Sequence, residues 1–154
     1  VDLKAEHINQ YIRDSSGMGF TAKNFRTWAA TSRCAERLAF LSSKRTAAEM
    51  KKWLKSIPSV ESMDKLWSEG DWDVPTTDTG RNKAMLAVID TVAANLGNTR
   101  TVCRSSYIHP WFLDAWAEGR LGEAWAEFED MRAMGNMTPG ESTTLRILKS
   151  VIKG

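Results

Sequence analysis

Between Arg81 and Leu96 the apolar residues Met85, Val88, Ile89, Val92, Ala93 and Leu96 recur at three- and four-residue spacing, and Gly97 follows at once. That spacing lays one apolar stripe along an α-helix, and a glycine there ends it. The rest of the chain is punctuated the same way. Asp2 caps a first helix carrying Leu3, Ile8, Tyr11 and Ile12, which ends at Ser15-Ser16-Gly17. Thr21 opens a long helix to about Ser42, with Phe25, Trp28, Ala29, Ala35 and Ala39 on an inner arc. Lys23, Arg26, Arg33 and Arg37 fall on the other side, with Ala30 among them, and Glu36 intrudes on the apolar arc. Thr46 and Glu49 form a capping box for a short basic helix ending near Ile57-Pro58. Residues 59–78 read as an irregular connector. Tyr107 sits in a short segment from Thr99, Pro110 opens the next helix and Gly119 closes it. Two more helices are expected near 121–134 and 139–152, the last opened by a Thr138–Glu141 capping box and burying Leu145, Leu148 and Ile152. The fold class is mainly α, as one helical domain over 1–154.

The 154 residues are 42% hydrophobic and 26% charged, with seven Trp, enough for a core. No apolar run approaches a membrane span and the first fifteen residues are polar, so a cytoplasmic protein is expected. Cys34 and Cys103 are isolated and suit small semi-buried positions, not a zinc site or a disulfide framework. A net charge of +2 says little alone, but it is unevenly spread. Lys44, Arg45, Lys51, Lys52 and Lys55 form a basic block, while 61–78 and 114–130 are acidic. Asp71-x-Asp73 invites a metal reading, although such pairs are usually solvated, and no metal or cofactor is expected.

Three stretches carry polar residues suited to chemistry: Thr21-Ala22-Lys23-Asn24-Phe25-Arg26-Thr27-Trp28, Leu96-Gly97-Asn98-Thr99 and Arg104-Ser105-Ser106-Tyr107-Ile108-His109-Pro110. A guanidinium is a permanently charged fork that fits a phosphate, an amide at a helix break is a neutral donor, and a phenol can become a nucleophile. Donors fixed around a phosphoryl transition state can each contribute roughly 3 kcal/mol. Order and spacing, with nine residues from Asn98 to Tyr107, resemble the signature blocks of bacterial and poxvirus-like type IB DNA topoisomerases. The likeness runs from about Ile8 to Tyr107 and more loosely into the tail MTPGESTTLRILK.

The resemblance implies the C-terminal, tyrosine-bearing part of that catalytic fold. Tyr107 would attack duplex DNA and form a 3′-phosphotyrosyl link, with Arg26 stabilising the transition state and Asn98 donating to a phosphate oxygen. Lys23, Arg100 and Arg104 would contact DNA, although Arg100 stands where relatives often carry Pro. His109 could touch phosphate or serve packing, and His7 is a surface residue. Supercoils would relax without ATP or metal, by a monomer. The family's further Arg and hairpin Lys lie upstream of the Lys23–Trp28 block, and Lys4 and Arg13 do not match them. The chain is therefore expected to be a fragment or half of a split enzyme, cleaving poorly by itself. A tyrosine recombinase is the nearest alternative, since it shares the order of Arg, LGH and Tyr. Lys23 in place of its usual His, Asn98 and the YIHP tail favour topoisomerase. A non-catalytic helical module binding DNA or protein is the alternative of another class.

Overall fold

Capping chemistry sets most of the helix boundaries. In the computed structural model, which describes the backbone of residues 22–153 and the side chains of 25–151, eight helices follow one another. They are α1 (Ala22–Leu41), α2 (Ala47–Leu54), α3 (Glu61–Leu66), α4 (Asp78–Leu96), α5 (Arg100–Ser106), α6 (Pro110–Ala117), α7 (Leu121–Glu129) and α8 (Pro139–Lys153). Both capping boxes form: Thr46 Oγ1 accepts from Glu49 N–H while Glu49 accepts from Thr46 N–H, and Thr138 with Glu141 repeats the pair. Thr77 caps α4, Gly97 ends it at φ 69°, and Gly119 turns the chain after α6 at φ 75°. The expected helix over residues 2–14, the Thr21 cap and the burial of Ile152 lie outside the described residues.

α1 is the central helix, packed against α4, α6, α7 and α8. Its buried residues are Thr27, Trp28, Ala30, Thr31, Ser32, Cys34, Ala35, Leu38, Ala39 and Leu41. At 100° per residue these cover about 200° of its circumference. The expected inner arc is therefore too narrow and misplaced by its edges: Phe25 is 59% exposed, and Ala30, placed with the arginines, is fully buried. The cause is that small Thr and Cys side chains let neighbouring helices approach closely, so this core face is not written in large apolar residues. Cys34 and Cys103 are both wholly buried. Every helix contributes to one continuous core that includes Leu38, Met50, Met63, Ile89, Cys103, Phe112, Leu121 and Leu148.

The connector is more ordered than its composition suggests. It holds α3, and Trp72 is buried, with its indole N–H donating to Leu41 O at 2.8 Å. Arg45 and Trp72 exchange backbone bonds of 3.0 and 2.8 Å in an isolated antiparallel bridge. Asp71 accepts from Ala47 N–H at the start of α2, and Asp73 stands 3.9 Å from Lys44. Asp71 thus ties the bridge to α2. α2 stops at Leu54 rather than Ile57, and α7 stops at Glu129 rather than 134.

Glu36 leans from α1 onto the first turn of α8, where Gly140 leaves room that a Cβ would fill. Burial pushes its carboxyl above the ordinary value of 4.5 and Glu141 adds to this, while Arg37 and Arg33 pull the other way. A carboxyl raised on folding contributes stability below its ordinary pKa, which is lost as pH rises through the folded value. Glu36→Gln should therefore raise the urea midpoint at pH 7.5 and leave it nearly unchanged at pH 4. An equal gain at both pH values would show that ionisation of Glu36 is not the cause.

Candidate active site

The break after α4 is a local backbone device. Gly97 takes the left-handed conformation, and both its N–H and that of Asn98 return to Ala93 O, the latter at 3.0 Å. Asn98 is thereby fixed one residue past the turn. Its Nδ2 is buried and has no hydrogen-bond partner among the described residues. Unmet buried donors are rare, and each costs about 1–3 kcal/mol.

Thr99 restarts the chain as α5, its Oγ1 accepting from Val102 N–H at 3.2 Å. Tyr107 is the C-cap of α5 and donates its N–H to Cys103 O at 3.1 Å. Buried Cys103 and Ile108 anchor the turn. The half-buried Tyr107 ring packs against the core, and its hydroxyl bonds no described residue.

A long-range clasp then fixes this turn to α1. Thr31 Oγ1 donates to Tyr107 O at 3.1 Å and accepts from His109 N–H at 3.1 Å. Thr31 lies five residues after Arg26, about 7.5 Å along the axis and about 140° around it. His109 is the N-cap of α6, its Nδ1 accepting from Trp111 N–H at 3.2 Å, so one of its ring nitrogens serves local capping.

Helix direction places the other two segments. Ser42, just past the end of α1, lines a cavity with Arg81 from the first turn of α4. Arg37, further back on α1, donates to Thr91 Oγ1 at 3.0 Å and Asn95 Oδ1 at 2.8 Å in the last turns of α4. The two helices are therefore antiparallel. The N-terminal end of α1 and the C-terminal end of α4 share one end of the bundle, where the Asn98–Tyr107 segment folds. Arg26 stands on the same stripe of α1 as Arg37, the face turned toward the end of α4. It is exposed and makes no ion pair among the described residues.

The remaining expected contacts differ in kind. Lys23 lies in the first turn of α1, with its side chain outside the described set. Arg104 is exposed in the last turn of α5. Arg100 is already engaged: its Nε and Nη2 donate to the two oxygens of Asp90 at 2.7 and 2.6 Å. Ser62 Oγ also donates to Asp90, at 2.5 Å. The Arg100 bond, helped by Ser62, holds the Asp90 carboxyl below its ordinary value and raises Arg100. This fork ties α3, α4 and α5 together, and the N–H edge of Arg100 is occupied by a carboxylate. Sequence reasoning missed both Thr31 and Asp90. Neither stands in a recognisable motif, and their partners are 76 and 10 residues away.

Residues 1–117 match the family described as eukaryotic DNA topoisomerase I, catalytic core. The match includes all three segments just described and ends with α6, leaving α7 and α8 outside it. The chain belongs to this DNA topoisomerase I family, which sets DNA as its substrate. No curated protein and no solved structure matches it. No described helix is long and apolar enough to cross a membrane.

Replacing Thr31 by Val keeps the shape and removes both bonds, leaving a buried His109 N–H without its acceptor. Chemical denaturation should show a loss of about 1–3 kcal/mol, and Thr31→Ser should recover most of it. A Thr31→Val protein as stable as the parent would show that the clasp contributes nothing.

Proposed function

We propose that the chain carries the tyrosine-bearing segment of a type IB enzyme of the bacterial and poxvirus-like kind, which relaxes supercoiled DNA through a 3′-phosphotyrosyl intermediate. Tyr107 is the nucleophile, Arg26 stabilises charge on the non-bridging oxygens, and Asn98 donates to one of them. Lys23 and Arg104 hold the flanking backbone, with Arg100 acting through its tie to Asp90. The observation that carries this reading is the Thr31 clasp. It pins the Tyr107 turn to the helix that bears Arg26, at the end of the bundle where Asn98 leaves α4.

In the cleavage step the Tyr107 hydroxyl gives its proton to water, its oxygen bonds to phosphorus, and the bond to the 5′-oxygen breaks. The departing oxygen needs a proton. Arg26 is too weak an acid and Asn98 has none to give, so another group supplies it. Asn98 Nδ2 gains an acceptor once a phosphate oxygen is presented, which offsets its unmet state. The arrangement is preorganised: donors fixed before the substrate arrives need not reorient as charge develops. Religation is the same attack reversed, with the 5′-hydroxyl displacing the phenol. The ester conserves the phosphodiester bond, so the cycle requires no nucleotide hydrolysis.

Full-length protein mixed with nicked-trap DNA should give a detergent-resistant protein–DNA adduct. Tyr107→Phe should abolish the adduct and leave non-covalent binding intact. Arg26→Ala should slow its formation about 100- to 1,000-fold, in line with loss of a single oxyanion donor. An adduct that persists in Tyr107→Phe would remove this residue from the mechanism. Binding without any adduct in the parent protein would favour a non-catalytic helical module.

A further inference from the structure

Two arginines of α1 that the chemistry at Tyr107 does not use, Arg33 and Arg37, line a cavity. An open hollow of about 310 Å³ between α1 and α2 is lined by Arg33, Glu36, Arg37, Phe40, Trp53, Ser56 and Ile57. Arg33 and Arg37 are one helical turn apart on one stripe, where like charges repel. Arg33 makes no hydrogen bond or ion pair with a described residue. Arg37 bonds only the neutral acceptors Thr91 and Asn95. Burial and the neighbouring Arg33 push Arg37 down to about 10, so its guanidinium stays charged at neutral pH. The one carboxylate in the wall, Glu36, turns toward Gly140 and pairs with neither arginine within 4 Å.

Two further features describe what this hollow suits. Lys51, Lys52 and Lys55 are exposed on and just after α2, without ion pairs among the described residues, and add a positive field. The opposite wall is aromatic. Trp53 stacks on Phe40 with centroids 4.5 Å apart and planes at 9°, and Arg45 backs Phe40 at 4.1 Å. That stack fixes the Trp53 ring rigidly at the cavity wall. Paired cations beside a fixed indole are the chemistry that holds a phosphate next to a planar base.

We propose that the hollow between α1 and α2 is a second anion site, which holds the phosphate of a nucleotide unit on Arg33 and Arg37 with its base beside Trp53. The nucleotide is either a free mononucleotide or one residue of a DNA strand, since both present the same chemistry. Arg33 is two turns, about 10.5 Å, from Arg26 on the same stripe. Both arginines lie on the side of α1 away from Thr31, so the site is set apart from Arg26 by this axial distance alone. The proposal does not depend on the role of Tyr107.

The test uses Tyr107→Phe protein, so that covalent chemistry plays no part, and probes it with AMP and with a 5′-hydroxyl oligothymidylate. AMP at ten times its Kd should raise the melting midpoint by about 3 °C. Arg33→Gln, at a half-exposed residue with no hydrogen bond or ion pair among the described residues, should melt like its parent without ligand and bind AMP about tenfold more weakly. Lys83→Gln removes one exposed charge from α4 and should leave AMP binding unchanged. Competition by the oligothymidylate assigns the site to a DNA strand, and its failure to compete assigns a free mononucleotide. No AMP binding at millimolar concentration, or equal weakening by Arg33→Gln and Lys83→Gln, would overturn the site.

Discussion

Thr31 has a single hydroxyl proton, and its position determines what the surrounding backbone can do. The hydroxyl gives that proton to Tyr107 O and offers a lone pair to His109 N–H, closing a ring across the turn between α5 and α6. Both bonds need the oxygen at one point, so the turn cannot slide along α1 without losing them together. Because α1 is buried on most of its circumference, the point itself does not move. Ile108 and Phe112, both fully buried, press the same turn onto the core from the other side. The orientation of the Tyr107 backbone is thus set by one polar contact within an apolar contact surface. A threonine in the middle of a helix is what makes both possible.

Local signals in the chain were legible wherever a structure is decided by residues within one turn. The two capping boxes, Gly97, Pro110 and Gly119 act through bonds to neighbours three or four positions away, and they appear where the sequence places them. The inner face of α1 was not legible, because its width depends on how closely four other helices approach. Thr27, Thr31 and Cys34 look neutral in a hydropathy pattern and become core only when those helices arrive. Trp72 illustrates the same limit. Its acidic surroundings suggest a loop, and only contact with Leu41, 31 residues away, makes it a buried anchor.

The candidate site divides along the same line. Which residues carry suitable chemistry could be read from three short blocks and their order. How the blocks come together could not, because it follows from the antiparallel pairing of α1 with α4, which Arg37 reports through Thr91 and Asn95. The unmet Asn98 Nδ2 was equally invisible, since a missing partner is a property of the assembled neighbourhood.

Arginine position, more than arginine number, decides which cations are available to a polyanion. Arg45, Arg81, Arg100 and Arg120 each stand within 4.0 Å of a carboxylate, as Lys44 and Lys65 do. Most of these carboxylates come from the connector or from the acidic ends of helices, so the acidic stretches neutralise the cations nearest to them. Among the described residues Arg26, Arg33, Lys51, Lys52 and Lys55 have no such neighbour, and they lie along α1 and α2. A net charge of +2 therefore understates the field on that side and overstates it elsewhere. Association with a phosphate backbone depends on charge left uncompensated in the folded protein, because a guanidinium already bridged by a carboxylate must first lose that bond. Among the described residues Arg26 has no such bond to lose, whereas Arg100 does, and its fork on Asp90 holds α4 to α5.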